Sequence, residues 1–382
     1  MDALTTPSNW QRVRLGDIAE IKRGVRITKN ELDVFGKYPV VSGGVGFLGY
    51  TNNFNRYENT ITIAQYGTAG YVNFQKNKFW ANDVCFCVYP NKNVIKNIFL
   101  YYFLKVNQNY LYEISNRNAT PYSISKDKIL DFEIPLPPLN EQIAIANILS
   151  DVDRYLYNLD ALILKKEGVK KALSFELLSQ RKRLKGFNQN WQRVKVKDFG
   201  IIITGSTPLT QISEYWNGTI SWITPTDIND NKDIFNSERK ITQKGLDTIR
   251  MIPKNSVLVT CIASIGKNAI LRVNGACNQQ INAIIPNKDF NADFVYYLME
   301  NNKQYLLGKA GVTATYIISK QVFEEIDFFV PKDLNEQIAI ANVLSDVDNE
   351  IISLKNKKRQ FENIKKALNH DLMSAKIRVL KK

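Results

Sequence analysis

The octapeptide NEQIAIAN occupies residues 140–147 and returns unchanged at residues 335–342. Both copies are followed closely by LSDVD, and the same offset of 195 residues persists in a later repeat of KKAL. A second echo, NWQRV, begins at Asn9 and Asn190 with an offset of 181 residues. The chain is therefore a tandem duplication whose halves differ in length within their first parts. Two copies are too few for a solenoid, which stacks several units.

The stretch that opens with each octapeptide predicts one long helix. About 40 residues after Pro138 or Pro331 contain no further proline and a single glycine, Gly168. At 1.5 Å per residue, such a helix is roughly 60 Å long. Positions spaced by three and four form a coiled-coil seam that is apolar at eight of ten places in each copy. The seam consists of Ile145, Leu149, Val152, Leu156, Leu159, Ile163, Lys166, Lys170, Leu173 and Leu177, and of Ile340, Leu344, Val347, Ile351, Leu354, Lys358, Phe361, Lys365, Leu368 and Leu372.

The first part of each half predicts a different kind of structure. Short β-branched and aromatic runs lie at 60–64, 71–74 and 83–89, and at 256–263, 269–273 and 281–285, and a helical pattern follows each set. The expected fold class is α+β, with two pseudo-symmetric α/β domains separated by two long helices that pack as an antiparallel coiled coil. The predicted boundaries are 1–138 for the first domain, 139–185 for the first helix, 186–333 for the second domain and 334–382 for the second helix.

Charge is the strongest signal in the composition. The 382 residues carry 51 Lys and Arg against 37 Asp and Glu, a formal net charge of +14. Such a balance favours a polyanionic partner, because neutralising phosphates releases counterions. The alternative is a generally basic surface with no polyanion to bind. The apolar runs are too short to cross a bilayer, and the first residues do not resemble a secretory signal, so a cytoplasmic location without a membrane partner is expected.

The sequence contains only weak matches to motifs for catalysis or metal binding. GVGFLG at 44–49 fits a dinucleotide-binding pattern, but no helical pattern follows it, so turn glycines are the better explanation. Glu238 and Lys240, with Asp227 or Asp230, could suggest a nuclease, but they lie in a loop-like stretch. Four scattered cysteines and one histidine, His370, lack zinc-site spacing. No catalytic and no metal-binding residues are therefore predicted.

A pair of variable α/β domains, each followed by a near-identical long helix, resembles the specificity subunit of Type I restriction-modification systems. The resemblance covers essentially the whole chain. It rests on IPLPPLNEQIAIANILSDVD (134–153) and VPKDLNEQIAIANVLSDVD (330–348), on GTAG (67–70) and WANDVCFCVYP (80–90), and on ISWITPTDI (220–228), LVTCIASIGKNAI (258–270) and CNQQINAIIP (277–286). The second copy departs from the first with PKDL in place of PPL, which affects only the local start of the helix.

The resemblance implies a division of labour. Each domain would be a target-recognition domain that reads one half of a bipartite double-stranded DNA site, while the helices set the gap and dock two methyltransferase subunits, with restriction subunits as further candidate partners. This chain would bind no cofactor; S-adenosylmethionine, Mg²⁺ and ATP are expected on the partner subunits. The predicted partner-binding residues are Asn140, Glu141, Gln142, Asn335, Glu336 and Gln337.

Reading bases requires amide, guanidinium and hydroxyl groups on loops, together with Lys and Arg for phosphates. The DNA-binding candidates in the first domain are Lys22, Arg23, Gln65, Tyr66, Thr68, Arg117, Asn118 and Thr120. Those in the second domain are Ser264, Lys267, Gln279, Gln280, Lys309, Thr313 and Thr315. Two alternatives to a specificity subunit remain at this point: a stand-alone nuclease or methyltransferase, and a basic coiled-coil scaffold that binds nucleic acid or proteins without a role in restriction and modification.

Overall fold

A computed structural model describes Pro7 and residues 9–118, 120–229, 231–312 and 315–379. The chain forms two structural units, one within Met1–Ala161 and Lys355–Lys382 (unit 1) and one within Leu162–Leu354 (unit 2). Each unit contains one α/β domain and a part of both long helices. The predicted combination of two α/β domains with two long helices is confirmed.

Unit 1 begins with an antiparallel ladder between its first and last strands, which closes the α/β domain at the start of the long helix. A four-stranded sheet has the order β2-β8-β5-β6, and a three-stranded sheet has the order β4-β3-β7. The strands are β1 (Gln11–Arg14), β2 (Ala19–Arg23), β3 (Tyr38–Val41), β4 (Phe47–Thr51), β5 (Thr60–Ala64), β6 (Val72–Gln75), β7 (Trp80–Ala81), β8 (Cys85–Pro90) and β9 (Glu133–Leu136). The helices are α1 (Leu15–Ile18), α2 (Asn97–Val106), α3 (Gln108–Glu113), α4 (Lys126–Leu130) and the long α5 (Leu139–Leu178), with a 3-10 turn at Lys29–Glu31.

Unit 2 repeats this plan. Its sheets have the orders β11-β18-β15-β16-β13 and β14-β12-β17, with a closing ladder β10-β21 and a hairpin β19-β20. The strands are β10 (Trp191–Lys195), β11 (Gly200–Thr204), β12 (Trp216–Ile223), β13 (Asp233–Ile234), β14 (Lys240–Ile241), β15 (Ser256–Thr260), β16 (Asn268–Leu271), β17 (Gly275–Cys277), β18 (Ile281–Pro286), β19 (Gly311–Val312), β20 (Tyr316–Ile317) and β21 (Asp327–Pro331). The helices are α6 (Gln243–Leu246), α7 (Ala292–Asn301), α8 (Lys303–Leu307), α9 (Lys320–Glu325) and the long α10 (Leu334–Met373), with 3-10 turns at Val196–Phe199 and Ser213–Tyr215.

Local signals explain why short helices begin at two related motifs, YSISK (122–126) and YIISK (316–320). Ser125 and Ser319, from YSISK and YIISK, are the N-caps of α4 and α9, where their hydroxyls accept backbone N–H groups. Both long helices end in the same way, with a left-handed residue at Gln180 (φ 59°) and Ala375 (φ 58°) two residues past the last helical position. The duplication therefore extends to the helix caps.

The seam residues at the ends of the long helices belong to the cores of the α/β domains. Ile145 and Leu149 of α5 are fully buried in unit 1, and Leu344 of α10 is fully buried in unit 2. Removing such a side chain from water stabilises the fold by about 2 kcal/mol. The opposite ends join the same cores, because Leu372 lies in the core of unit 1 and Leu177 in that of unit 2.

Each of the four lysines on the predicted seam pairs with an acidic side chain of the other long helix. The pairs are Asp153–Lys365 and Asp160–Lys358 (2.6 Å) in unit 1, and Lys166–Glu350 (2.7 Å) and Lys170–Asp348 (2.5 Å) in unit 2. Since residue numbers rise along one helix as they fall along the other, the helices pack antiparallel in both units, as predicted. The lysine stems cover the seam while the charged groups meet across it.

In each unit, a tyrosine of the α/β domain donates a hydrogen bond to one of the aspartates in these ion pairs. The Tyr102 hydroxyl donates to Asp153 at 2.7 Å, and the Tyr297 hydroxyl donates to Asp348 at 2.7 Å. Burial raises the pKa of both hydroxyls well above the ordinary tyrosine value, so they remain protonated donors at neutral pH. This hydrogen bond fixes each domain at one position along its helix pair.

Two buried carboxylates hold the starts of the long helices. Glu141 accepts hydrogen bonds from the Trp10 indole (3.1 Å) and from Arg378 (2.7 and 3.0 Å). In unit 2, Glu336 accepts from Trp191 (3.2 Å) and from Arg183 (2.6 and 3.0 Å) in the same arrangement. We call each set of Trp, Glu and Arg a latch. Each latch joins a tryptophan at or just before the first strand of its unit, the start of one long helix and the segment after the other.

Gly168 offers a direct test of helix continuity. A Cβ built on Gly168 meets nothing within 4 Å, and the residue lies inside α5. Gly168→Ala should therefore stabilise unit 2 by about 1 kcal/mol, because alanine loses less backbone freedom in a helix. The measurement is the denaturant midpoint. Ala172→Gly, at an exposed position one turn further on, should lower stability by a similar amount, and a fall with Gly168→Ala would show that α5 is not helical there.

Arg378→Met tests the latch of unit 1. The change leaves the Glu141 carboxylate, 2% exposed, without its charged partner, so unit 1 should lose about 2–3 kcal/mol of local stability. Hydrogen exchange of peptides from residues 139–150 should accelerate, while unit 2 peptides stay unchanged.

Arg183→Met is the matched variant and should reverse the pattern, accelerating exchange in unit 2 alone. Arg12→Met removes an exposed pair with Glu133 and should change neither, because exposed ion pairs contribute little. Equal effects of Arg378→Met on both units would contradict the latch assignment.

Candidate nucleic-acid interface

A turn of one shape follows a central strand in both units. It spans residues 64–71 after β5 and residues 260–267 after β15. In each, the seventh residue donates its backbone N–H to the carbonyl of the first, at 2.8 and 2.9 Å. The fourth residue is left-handed in both, Gly67 with φ 75° and Ala263 with φ 63°. The backbone is thus shared, whereas the side chains of the second to fifth residues differ, Gln-Tyr-Gly-Thr against Cys-Ile-Ala-Ser.

Three loops meet around this turn in unit 1, and we call them loop surface 1: residues 42–47, 65–68 and 116–123, of which Ala119 lies outside the described residues. Thr68 N–H donates to the Gly43 carbonyl at 2.9 Å, and Gly67 N–H donates to the Tyr122 carbonyl at 3.0 Å. The structure brings together six of the predicted DNA-binding residues on this surface. They are Gln65, Tyr66, Thr68, Arg117, Asn118 and Thr120.

Arg117 is the best-positioned cation of loop surface 1. It is exposed, its Nε donates to the Tyr112 carbonyl at 3.0 Å, and its guanidinium lies 5.2 Å from the Tyr112 ring and 5.1 Å from the Tyr122 ring. Gln65 is half-buried, and its Oε1 has no hydrogen-bond partner among the described residues. The exposed guanidinium of Arg117, fixed by its contacts with two tyrosines, suits a ligand that offers hydrogen-bond acceptors.

Lys22 and Arg23 lie on β2, outside loop surface 1 as defined. Lys22 pairs with Glu20 at 3.2 Å and lies 5.5 Å from the Tyr89 ring, while Arg23 donates to the Asp83 carbonyl. Both side chains are exposed. That Lys22 and Arg23 contact DNA phosphates therefore stays a prediction.

Unit 2 carries an equivalent set of loops, loop surface 2: residues 205–207, 262–267, 278–280 and 311–317, of which Thr313 and Ala314 lie outside the described residues. Ala263 N–H donates to the Tyr316 carbonyl at 3.0 Å, and the Thr207 hydroxyl donates to Gln279 at 2.6 Å. Of the predicted residues, Ser264, Lys267, Gln279, Gln280 and Thr315 lie on this surface. Lys309 is exposed beyond it, 4.9 Å from the Tyr305 ring, and Thr313 cannot be placed.

Sequence reasoning missed the hairpin at 42–47. Gly44 and Gly46 lie between β3 and β4, so the interpretation of GVGFLG as turn glycines is confirmed for these two, whereas Gly49 lies on β4. Gly43 lets the hairpin approach the neighbouring turn, since a Cβ there would lie 2.3 Å from the Tyr66 carbonyl oxygen. The closely spaced glycines Gly43, Gly44 and Gly46 were the available signal for a close backbone approach.

The predicted partner-binding residues divide into two groups. Asn140 and Asn335 are exposed at the starts of the long helices, whereas Glu141, Gln142, Glu336 and Gln337 are buried. The two glutamates form the latches, and the glutamines bind backbone. Gln142 accepts from Lys96 N–H and donates to the Pro137 carbonyl, both at 2.8 Å, and Gln337 repeats this with Asn291 (3.0 Å) and Pro331 (3.1 Å). A docking partner would meet the two asparagines directly.

A charge network ties the domain of unit 2 to α10. Lys232 donates to Asp293 at 2.5 Å and to Ser345 of α10 at 3.0 Å, and Arg272 donates to Asp293 at 2.7 Å. Burial alone would raise the pKa of Asp293, but the two cations outweigh it and hold that pKa below its ordinary value. These cations are thus committed to structure and are not free to bind phosphate.

Other chemistry finds little support in the residues described. Among them, no three His, Cys, Asp or Glu side chains are grouped so that they could hold a metal ion. Burial raises the pKa of Cys261 and of Cys277 to about 12, so neither is an activated thiol. In the part of the chain that the structure describes, no helix has both the length and the apolar character needed to cross a bilayer.

Several known proteins resemble this chain, two of those reported below along most of its length. The Type I restriction enzyme MjaVIII specificity subunit of Methanocaldococcus jannaschii is 26% identical over 99% of this chain and 95% of its own length. The MjaIX specificity subunit of the same organism is 36% identical, over 47% of this chain and 42% of its own length. The EcoR124I/EcoR124II specificity subunit of Escherichia coli is 27% identical over 87% of this chain and 85% of its own length.

A solved structure shares the fold. The crystal structure of the Type-I restriction-modification system S subunit from M. genitalium superposes with a TM-score of 0.69 at 19% identity, over 97% of each chain. The model of the Type I restriction modification DNA specificity domain matches residues 7–166 and again residues 188–363, one match for each half of the duplication. With most of its residues covered by these two matches, the chain belongs to the family of Type I restriction modification DNA specificity domains.

Proposed function

We propose that this chain is the DNA-binding specificity subunit of a Type I restriction-modification complex, and that each α/β domain reads one half of a bipartite duplex site. The observation that carries the proposal is the shared turn at 64–71 and 260–267, which presents different side chains on the same backbone. Two readers of equal geometry and unequal chemistry are suited to two different base sequences. The net charge of +14 supports a polyanionic partner.

The long helices are proposed to set the gap between the half-sites and to dock two methyltransferase subunits. Both helices are 40 residues long, and they pair antiparallel through ion pairs that fix their register. The exposed Asn140 and Asn335 stand at equivalent places on the two helices, so two copies of one partner would find two equivalent surfaces. Loop surfaces 1 and 2 supply the base and phosphate contacts in this proposal.

The chemistry belongs to the partner subunits in this proposal. Adenine methylation would be carried out by the methyltransferase with S-adenosylmethionine, and cleavage by nuclease subunits, where these join, with Mg²⁺ and ATP. The chain itself contributes binding and positioning. A cytoplasmic location is part of the proposal, because the substrate is the duplex DNA of the cell.

Co-expression with the cognate methyltransferase tests the proposal. Mapping methylated adenines in the host genome should reveal a two-part motif with a fixed gap. Replacing residues 1–138 by the corresponding domain of a relative should change one half of the motif and leave the other half and the gap intact.

Replacing residues 186–333 is the matched exchange and should change only the other half. Methylation that does not depend on this chain, or an undivided motif that both exchanges alter together, would contradict the proposal. A purified chain that methylates or cuts DNA alone would favour the enzyme alternative.

A further inference from the structure

Arg239 is held between two tryptophans in unit 2. Its guanidinium carbon lies 4.1 Å from the Trp216 ring and 4.9 Å from the Trp222 ring, and the two rings meet edge to face at 5.1 Å. The residue is exposed, and within the described residues none of its guanidinium N–H groups takes part in a hydrogen bond or ion pair. A cation is thus fixed by aromatic faces while its hydrogen-bond donors stay free.

The backbone around this cation is fixed as well. The Ser237 hydroxyl donates to the Arg239 carbonyl at 2.5 Å and accepts the Trp222 N–H at 3.0 Å. The Trp222 indole donates to the Ser206 carbonyl at 2.9 Å, and Trp222 is 3% exposed. Neither the start of the arginine side chain nor its aromatic support needs to be ordered by a ligand, which lowers the entropic cost of binding.

Arg239 and its two tryptophans adjoin loop surface 2. Ser206, which receives the Trp222 indole hydrogen bond, belongs to that surface and donates its own N–H to the Cys277 carbonyl at 2.8 Å. The next residue, Thr207, is bonded to Gln279, one of the predicted base-reading residues. Arg239 is therefore connected to the predicted reading loop through one buried tryptophan.

We propose that Arg239 reads a guanine in the half-site contacted by unit 2, donating to O6 and N7 at the major-groove edge; the inference rests on the proposed function. A phosphate can be bound by a positive charge alone, which a mobile lysine supplies. Two parallel donors to one base edge need the planar fork of a guanidinium, and the two tryptophan rings hold this guanidinium in place before a base arrives. Among the four bases, guanine offers two adjacent acceptors in the major groove.

The test uses the full chain with its cognate methyltransferase and compares Arg239→Gln, Arg239→Lys and Trp216→Leu with the unaltered protein. Arg239→Gln should relax one guanine position in one half of the motif, with the preference over other bases falling about 10- to 100-fold. Arg239→Lys should relax the same position, because lysine keeps the charge but loses the planar fork. Trp216→Leu should relax it more weakly, and the other half-site should stay unchanged.

Arg193→Gln is the control of equal charge change in unit 2, because Arg193 is exposed and pairs with Asp327. It should leave every motif position intact. A uniform loss of methylation with an unchanged motif, rescued by Arg239→Lys, would assign Arg239 to a phosphate and overturn the inference. Loss of methyltransferase copurification with unchanged DNA preference would assign it to a protein contact and also overturn it. Absence of a two-part motif with the unaltered chain would instead refute the proposed function.

Discussion

The long helices depend on two buried carboxylates. Glu141 and Glu336 are 2% and 1% exposed, and a carboxylate so deeply buried must be paired and hydrogen-bonded. In each latch the partners are an indole at or next to the first strand of the unit and an arginine from the segment after the other long helix. One charge thereby holds together three parts of the chain that lie far apart in sequence.

The seam between the helices is also held by paired charges, but these are more exposed than the latch carboxylates. Lysines at four seam positions would be unfavourable if the seam were purely apolar, but each meets an aspartate or glutamate of the opposite helix. If one helix shifted past the other by a turn, these pairs would separate and partly buried charges would be left without partners. Two of the aspartates also bind Tyr102 and Tyr297 through their second carboxylate oxygen, so that the register of the helix pair and the attachment of each domain are fixed by shared carboxylates.

The repeat, the helices and several strands could be predicted because their causes are local. Prolines before each long helix and a three-four apolar spacing act within a few residues, and β5 is found at the predicted residues 60–64. The latches could not be predicted, since Arg378 meets Glu141 only after the whole chain has folded. Arg239 was missed for the same reason, because its tryptophan neighbours lie 17 and 23 residues earlier on β12. Sequence reasoning grouped the loop residues by chemistry, and tertiary packing decided which of them share a surface.

The common turn at 64–71 and 260–267 has a consequence for how such a protein can diversify. The left-handed positions and the backbone bonds within the turn constrain its shape, while the third and fifth residues, half-buried in both units, differ in their side chains. Single substitutions there can alter molecular preference without a new loop conformation having to evolve. After duplication, the two halves of the gene could therefore diverge in binding preference while their folds stay interchangeable.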